Sequence, residues 1–222
     1  MIMPSIINDN QLEWLRVKTR VFSDFVAIFF VSASLLLWVL PTRLIPDFYD
    51  RYYMSVASIF GVGIIYVLPR LFRVASDVPG AIEKNKAVDY FQLFLTGVIF
   101  ANALGEFGLY QLYKIGFEFD KFLHLGISFL SVLILPRLVE ARYGTRRIRA
   151  MWLVFLFIFC GGFVWELYEF LTDLILGTHL FGVYQGNITQ DTKMDVLCNI
   201  IGAMLGIALG WIKMKREKRK EG

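Results

Sequence analysis

Six stretches of about twenty mostly apolar residues run through this chain, and that is the length a helix needs to cross the hydrocarbon core of a bilayer. They are Val21–Leu40, Met54–Phe72, Phe91–Tyr113, Glu118–Val139, Ala150–Leu176 and Met194–Lys213. The chain has 222 residues, 57% hydrophobic and 19% charged, with a mean hydropathy of +0.57. That composition lies well outside the range of soluble domains. The first stretch is too long for a signal-peptide core and lacks a small-residue cleavage site, so it is expected to stay as an anchor. No linker or low-complexity tract separates the six. The expected fold is all-α: a polytopic bundle of six transmembrane helices forming a single membrane domain over residues 1–222, in the cell (inner or plasma) membrane.

Basic residues set the expected orientation. Arg16, Lys18 and Arg20 precede the first stretch; Arg70, Arg73, Lys84 and Lys86 follow the second. Arg137, Arg142, Arg146, Arg147 and Arg149 surround the fourth connection, and Lys213, Lys215, Arg216, Lys218, Arg219 and Lys220 crowd the tail. The opposite side holds Arg43, Arg51, Lys114, Lys121 and Lys193. By the positive-inside rule both termini are cytoplasmic. The net charge of +4 thus reflects topology; no basic stripe marks a nucleic-acid partner. Cys160 and Cys198 both fall inside apolar stretches and read as packing thiols, not as a disulfide framework.

Against this background the acids stand out. Glu106, Asp120, Glu166, Glu169, Asp173 and Asp195, with His124, lie in or at the edge of the last four stretches, all near their non-cytoplasmic ends. A charge at the centre of a membrane helix costs about 2.5–3.5 kcal/mol on insertion scales, so such groups are rare and mark ion or substrate paths. At a rise of about 1.5 Å per residue they fall into two layers: Asp120, Asp173 and Asp195 near the surface, and His124, Glu169, Asn199 and Glu106 roughly 7–10 Å deeper. Spacing supports convergence. Asp120 and His124 are i, i+4 neighbours, as are Asp195 and Asn199; Glu166, Glu169 and Asp173 share one stripe that Gly162 continues. Below Asn199, the line Gly202, Gly206, Gly210 offers a flat face for close helix approach. Its polar extension places that face inside the bundle rather than at a dimer seam.

Candidate protein cations for these carboxylates are His124 and Lys121 alone, so either several acids are protonated or a cation binds. Carboxylates with one imidazole and an amide suit a divalent metal ion: Mg²⁺, Mn²⁺, Fe²⁺, or Zn²⁺ with an acid-rich shell. Candidate ligands are His124, Asp120, Asp173, Asp195 and Asp191; Glu169 and Glu166 are candidate catalytic bases; Asn199, Gln185 and Glu106 are candidate substrate contacts. The plainer readings stand beside these. Taken singly, Asp120, Asp173 and Asp195 read as interfacial caps, and the acids with His124 as a structural hydrogen-bond network. Lys121 reads as a partner of Asp120 or a snorkelling side chain, Trp165 and Tyr168 as interface anchors. The connection Gly177–Lys193 reads as a lid over the site or a simple connector, and Asn187-Ile-Thr189 fits a glycosylation sequon.

The segments FDKFLHLGISFL, WELYEFLTDLILGT and YQGNITQDTKMDVLCNIIGA resemble the YjdF-like family of multi-pass inner-membrane proteins. The resemblance rests on Asp120 and His124, on Glu166 and Glu169, and on Gln185, Gly186, Asp191, Thr192, Asp195, Gly202 and Ala203. A looser similarity runs to VanZ-like membrane proteins through the Asp-Lys…His and Asp…Asn-x-x-Gly-Ala elements. The resemblance spans roughly 89–210 and implies a membrane location and a polar site, but no activity. Three function classes follow. The first is a metal-dependent hydrolase or transferase on a lipid-linked substrate, with a carboxylate such as Glu169 as general base. The second is a cation transporter or proton relay, against which the inner halves of the last three helices are almost wholly apolar. The third is a non-catalytic assembly or partner protein in the lipid bilayer. No G-x-S-x-G and no P-loop occurs.

Overall fold

The computed structural model describes residues 9–41, 51–176 and 188–221. Six long helices make up nearly all of it: α1 Asp9–Val39, α2 Arg51–Arg70, α3 Ala81–Glu106, α4 Phe119–Tyr143, α5 Arg147–Leu176 and α6 Ile188–Glu221. A short 3-10 helix, Leu109–Ile115, follows α3, and there is no strand among the described residues. Each of the six is long and apolar enough to cross a membrane. Large apolar side chains point outward all along them; Phe157, Leu174 and Ile175 of α5 are 70% or more exposed. In water that surface would be ruinous, whereas in hydrocarbon it costs nothing.

Several helices run past their apolar segments. Ala81, Glu83, Lys84, Lys86 and Ala87 are good helix formers, so α3 starts ten residues before Phe91. The basic tail after Lys213 is equally helical in propensity, and α6 continues through it to Glu221. At its other end α6 begins at Ile188, which puts Asp191 in the first turn, where a negative charge favours the helix dipole. In contrast, the apolar run Phe91–Tyr113 is not one helix. It breaks at Gly108, whose φ of 129° lies in a region that side chains avoid.

The helices pack as two groups of three. Helices α1, α2 and α3 enclose Val26, Phe30, Ile65 and Ala103, with Phe29 edge-on to Phe100 and Phe107 at centroid distances of 5.6 and 5.7 Å. Small polar side chains reinforce this group from within: Ser23 with Thr96 at 3.0 Å and Ser34 with Ser55 at 2.6 Å. At its far end Arg73 binds the buried Asp89 at 2.5 Å. Helices α4, α5 and α6 enclose Val132, Met151, Val154, Ala203 and Ile207. The groups join mainly where α3 lies on α4.

The tightest packing is between α4 and α6, which run in the same direction. A side chain at Gly202 would meet the Leu125 carbonyl, one at Gly206 would lie 2.8 Å from the Phe129 carbonyl, and one at Gly210 would strike Met151. The expected glycine face therefore does turn into the bundle. Gly202 and Gly206 let the α6 backbone approach that of α4, and that approach sets the spacing of the polar residues above.

Candidate cation site

Lys121 and His124 of α4 lie three residues apart on the face presented to α6, and Ser128 continues that face one turn further. Asp191, Asp195 and Asn199 answer them from α6. Partners across the seam are 70, 75 and 71 residues apart, the near-constant offset of two parallel helices. The polar groups are thus stacked in pairs from the end of the bundle inward.

The uppermost pair is an ion-pair cluster. The Lys121 ammonium lies 3.0 Å from Asp120 Oδ2 and 2.6 Å from Asp195 Oδ1, and it also binds Asp191 Oδ1. Lys121 is 8% exposed and Asp195 3%. Lys121 donates hydrogen bonds to Asp120 and Asp191. The third carboxylate, the buried Asp195, completes the cluster through its Oδ1. One ammonium therefore serves three carboxylates. The expectation that Lys121 pairs with Asp120 holds, but it understated the residue: Lys121 is buried at the centre of the cluster and not drawn to the headgroups.

One turn deeper stands His124. Its Nε2 lies 3.6 Å from Asp120 Oδ1 and 3.6 Å from Asp195 Oδ1, beyond hydrogen-bonding distance. Its Nδ1 lies 3.3 Å from Asn199 Oδ1, which already accepts from Ser128 Oγ at 2.7 Å. An amide oxygen can only accept, so Nδ1 donates to Asn199 and Nε2 is the ring nitrogen turned toward the two carboxylates. One ligand atom from each of Asp120, His124 and Asp195 lies within 4.8 Å of the others.

The remaining candidates surround this core. Glu166 of α5 is buried and accepts from Thr192 Oγ1 at 3.0 Å, while Glu169 accepts from Trp165 Nε1 at 2.7 Å. Both lie within electrostatic range of Asp120. Gly162, on the same stripe, faces the Asn199 amide, as its spacing implied. Tyr168 shares a hydrogen bond of 3.1 Å with Tyr53, which links α2 to α5. Glu106 belongs to a different network, accepting from Asn102 at 3.1 Å while Tyr110 donates to Asn102 at 2.8 Å. Asp191 is turned to Lys121 rather than toward His124, and Asp173 is not one of the three converging groups. Gln185, with His179, Tyr184 and residues 177–187 of the expected lid, lies outside the described residues, and Ile188–Lys193 of that connection are the first turns of α6. Ser128 and Tyr53 were not singled out from the sequence, and Thr192 was named only for the resemblance; Ser128 sits four residues after His124 and could have been found by extending that stripe.

Six helices long and apolar enough to cross a membrane, with a buried acid–histidine cluster between α4 and α6, define a multi-pass membrane protein. A family described as "Predicted membrane protein (DUF2238)" matches residues 26–216, and the chain belongs to it. This is the family that the YjdF-like resemblance indicated; nothing supports the looser likeness to VanZ-like proteins. No curated protein and no solved structure matches the chain.

Proposed function

We propose that Asp120, His124 and Asp195 bind a divalent cation, and that the protein is a metal-dependent hydrolase or transferase acting on a lipid-linked substrate at the non-cytoplasmic surface. One observation carries the reading: a potential ligand atom from each of Asp120, His124 and Asp195, on two helices, lies within 4.8 Å of the others, and Lys121, the one ammonium paired with them among the described residues, already serves three carboxylates. Two carboxylates so close repel one another unless a cation or proton lies between them, and with Nε2 unprotonated the three would offer a divalent ion its ligands. The second shell also fits, since a metal-binding histidine characteristically donates its other ring N–H, here to Asn199. With three protein ligands, positions stay open for water and substrate, and a cation bound there would polarise a carbonyl or phosphoryl oxygen.

This chain's own residues supply the rest. Lys121 fixes Asp191 and Asp195 and holds the α4 and α6 ends in register. Glu166 and Glu169 are the acids placed to accept a proton from attacking water, and Glu169 with Trp165 and Tyr168 lies on the partly exposed side of α5. A substrate with a lipid tail would meet acid and aromatic groups together there. Orientation with both termini cytoplasmic rests on the basic connections.

A second reading draws on Lys121. With its ammonium as resident cation, the cluster would be an ion-pair clasp between α4 and α6 in a non-catalytic partner protein. A transport path is disfavoured by the apolar group Val132, Met151, Val154, Ala203 and Ile207, which closes the α4–α5–α6 interior beneath Asn199. Elemental analysis of detergent-purified protein separates the first two. About one divalent ion per chain, lost in His124→Ala and Asp195→Asn, is expected; a metal-free wild type after purification in metal-supplemented buffer would select the clasp.

A further inference from the structure

At the opposite end of the α4–α5–α6 group the chain encloses a cavity of about 230 Å³. Its rim carries Arg137 from α4, Arg147 from the first turn of α5, and Lys213 and Arg216 from α6, against a single acid, Glu217. Its inner wall is apolar, formed by Val132, Leu133, Met151 and Met214, with Gly210 leaving room beside Met151. Four basic side chains from three separate helices converge here. Two of them are only partly engaged elsewhere: Arg147 lies 3.8 Å from Glu140, and Arg137 stacks 5.3 Å from the Tyr90 ring.

Such a rim needs an anion. The N-terminus of α5 adds its partial positive charge to the same rim. Drug-sized ligands occupy pockets of about 300–1,000 Å³, so this volume suits something smaller, of the size of a phosphate-bearing headgroup. An apolar wall beneath a cationic rim, at the depth where a membrane-crossing helix leaves the hydrocarbon, matches the join between headgroup and acyl chains. Basic pockets between membrane helices recognise anionic lipids by this combination. We infer that the cavity bounded by Arg137, Arg147, Lys213 and Arg216 is a binding site for the phosphate of an anionic phospholipid, distinct from the acid cluster at the other end of the same helices. The free basic tail offers only diffuse attraction, whereas the cavity holds one headgroup against named side chains.

The experiment is native mass spectrometry of the full-length protein in detergent, titrated with phosphatidylglycerol, phosphatidylcholine or inorganic phosphate. Wild type is expected to retain phosphatidylglycerol in preference to the other two. The double variant Arg137→Gln/Arg216→Gln should weaken that retention by roughly tenfold or more. A matched double variant, Lys215→Gln/Arg219→Gln, removes equal charge from side chains that do not line the cavity and should retain the lipid as wild type does. Glu217→Gln, which removes the one opposing charge, should tighten binding. Equal losses in both double variants would overturn the inference in favour of diffuse attraction. Inorganic phosphate binding as tightly as the lipid would overturn the lipid assignment, and indifference of all variants would overturn the site. If Arg137→Gln/Arg216→Gln fails to fold, Glu217→Gln and Arg216→Gln alone decide by their opposite signs.

Discussion

Lys121 carries more of the site's electrostatics than any other residue. Its buried ammonium faces Asp120, Asp191 and Asp195 at once, so its removal strands carboxylates that pair with no other lysine or arginine among the described residues. Breaking a buried ion pair from one side costs about 3–5 kcal/mol. Lys121→Met is therefore expected to lower the thermal midpoint of the detergent-solubilised protein sharply, and a midpoint unchanged within error would show that the cluster contributes nothing to stability. Addition of divalent cation should restore part of the loss if Asp120, His124 and Asp195 bind metal. His124 tests the deeper layer. Asn199→Leu takes away the acceptor that orients its ring, and is expected to reduce metal retention by about 10–100-fold while leaving Asp120 and Asp195 in place. Glutamine at 199, which keeps an amide oxygen, should lose less; equal losses in the two variants would argue against an orienting role.

At the scale of elements, the seam between α4 and α6 positions everything above it. Gly202 meets the Leu125 backbone without room for a methyl group, and a carbonyl cannot step aside as a flexible side chain can. Gly202→Ala should destabilise the protein by about 1–3 kcal/mol through forced separation of the helices. The same substitution at Gly161, with nothing within 4 Å, should be neutral or stabilising, since alanine favours the helix by about 1 kcal/mol over glycine. Thermal unfolding of the pair decides it: similar midpoints would mean the seam is not tight. The glycine face was legible from spacing alone, because period and residue size both register in sequence. Lys121 was not. A lysine at the start of a membrane helix ordinarily extends toward headgroups, and only the parallel alignment of α6, which no local pattern encodes, brings Asp191 and Asp195 to it. The same blindness applied to helix ends. Hydropathy locates apolar segments, while α3 and α6 continue through polar residues and α4 stops at Gly144, whose positive φ ends the helix.

For the whole molecule, the number of membrane-crossing helices follows from hydrophobicity, and the grouping of α1–α3 apart from α4–α6 does not. The acid–histidine cluster lies wholly within the second group, at the end where α4 and α6 begin; the basic cavity lies at the other. Sidedness can be tested by thiol labelling in intact cells on a background with Cys160 and Cys198 replaced by serine. A cysteine at Lys114 should react with an impermeant reagent and one at the exposed Tyr143 should not; the reverse pattern would invert the topology proposed here. The order in which the parts are made also matters. Asp191 is synthesised 70 residues after Lys121, so α4 must enter the bilayer before its counterions on α6 exist. Until the last helix arrives, Lys121 has only the neighbouring Asp120 as counterion, and chains cut short before Ile188 would lack the two carboxylates that bury it.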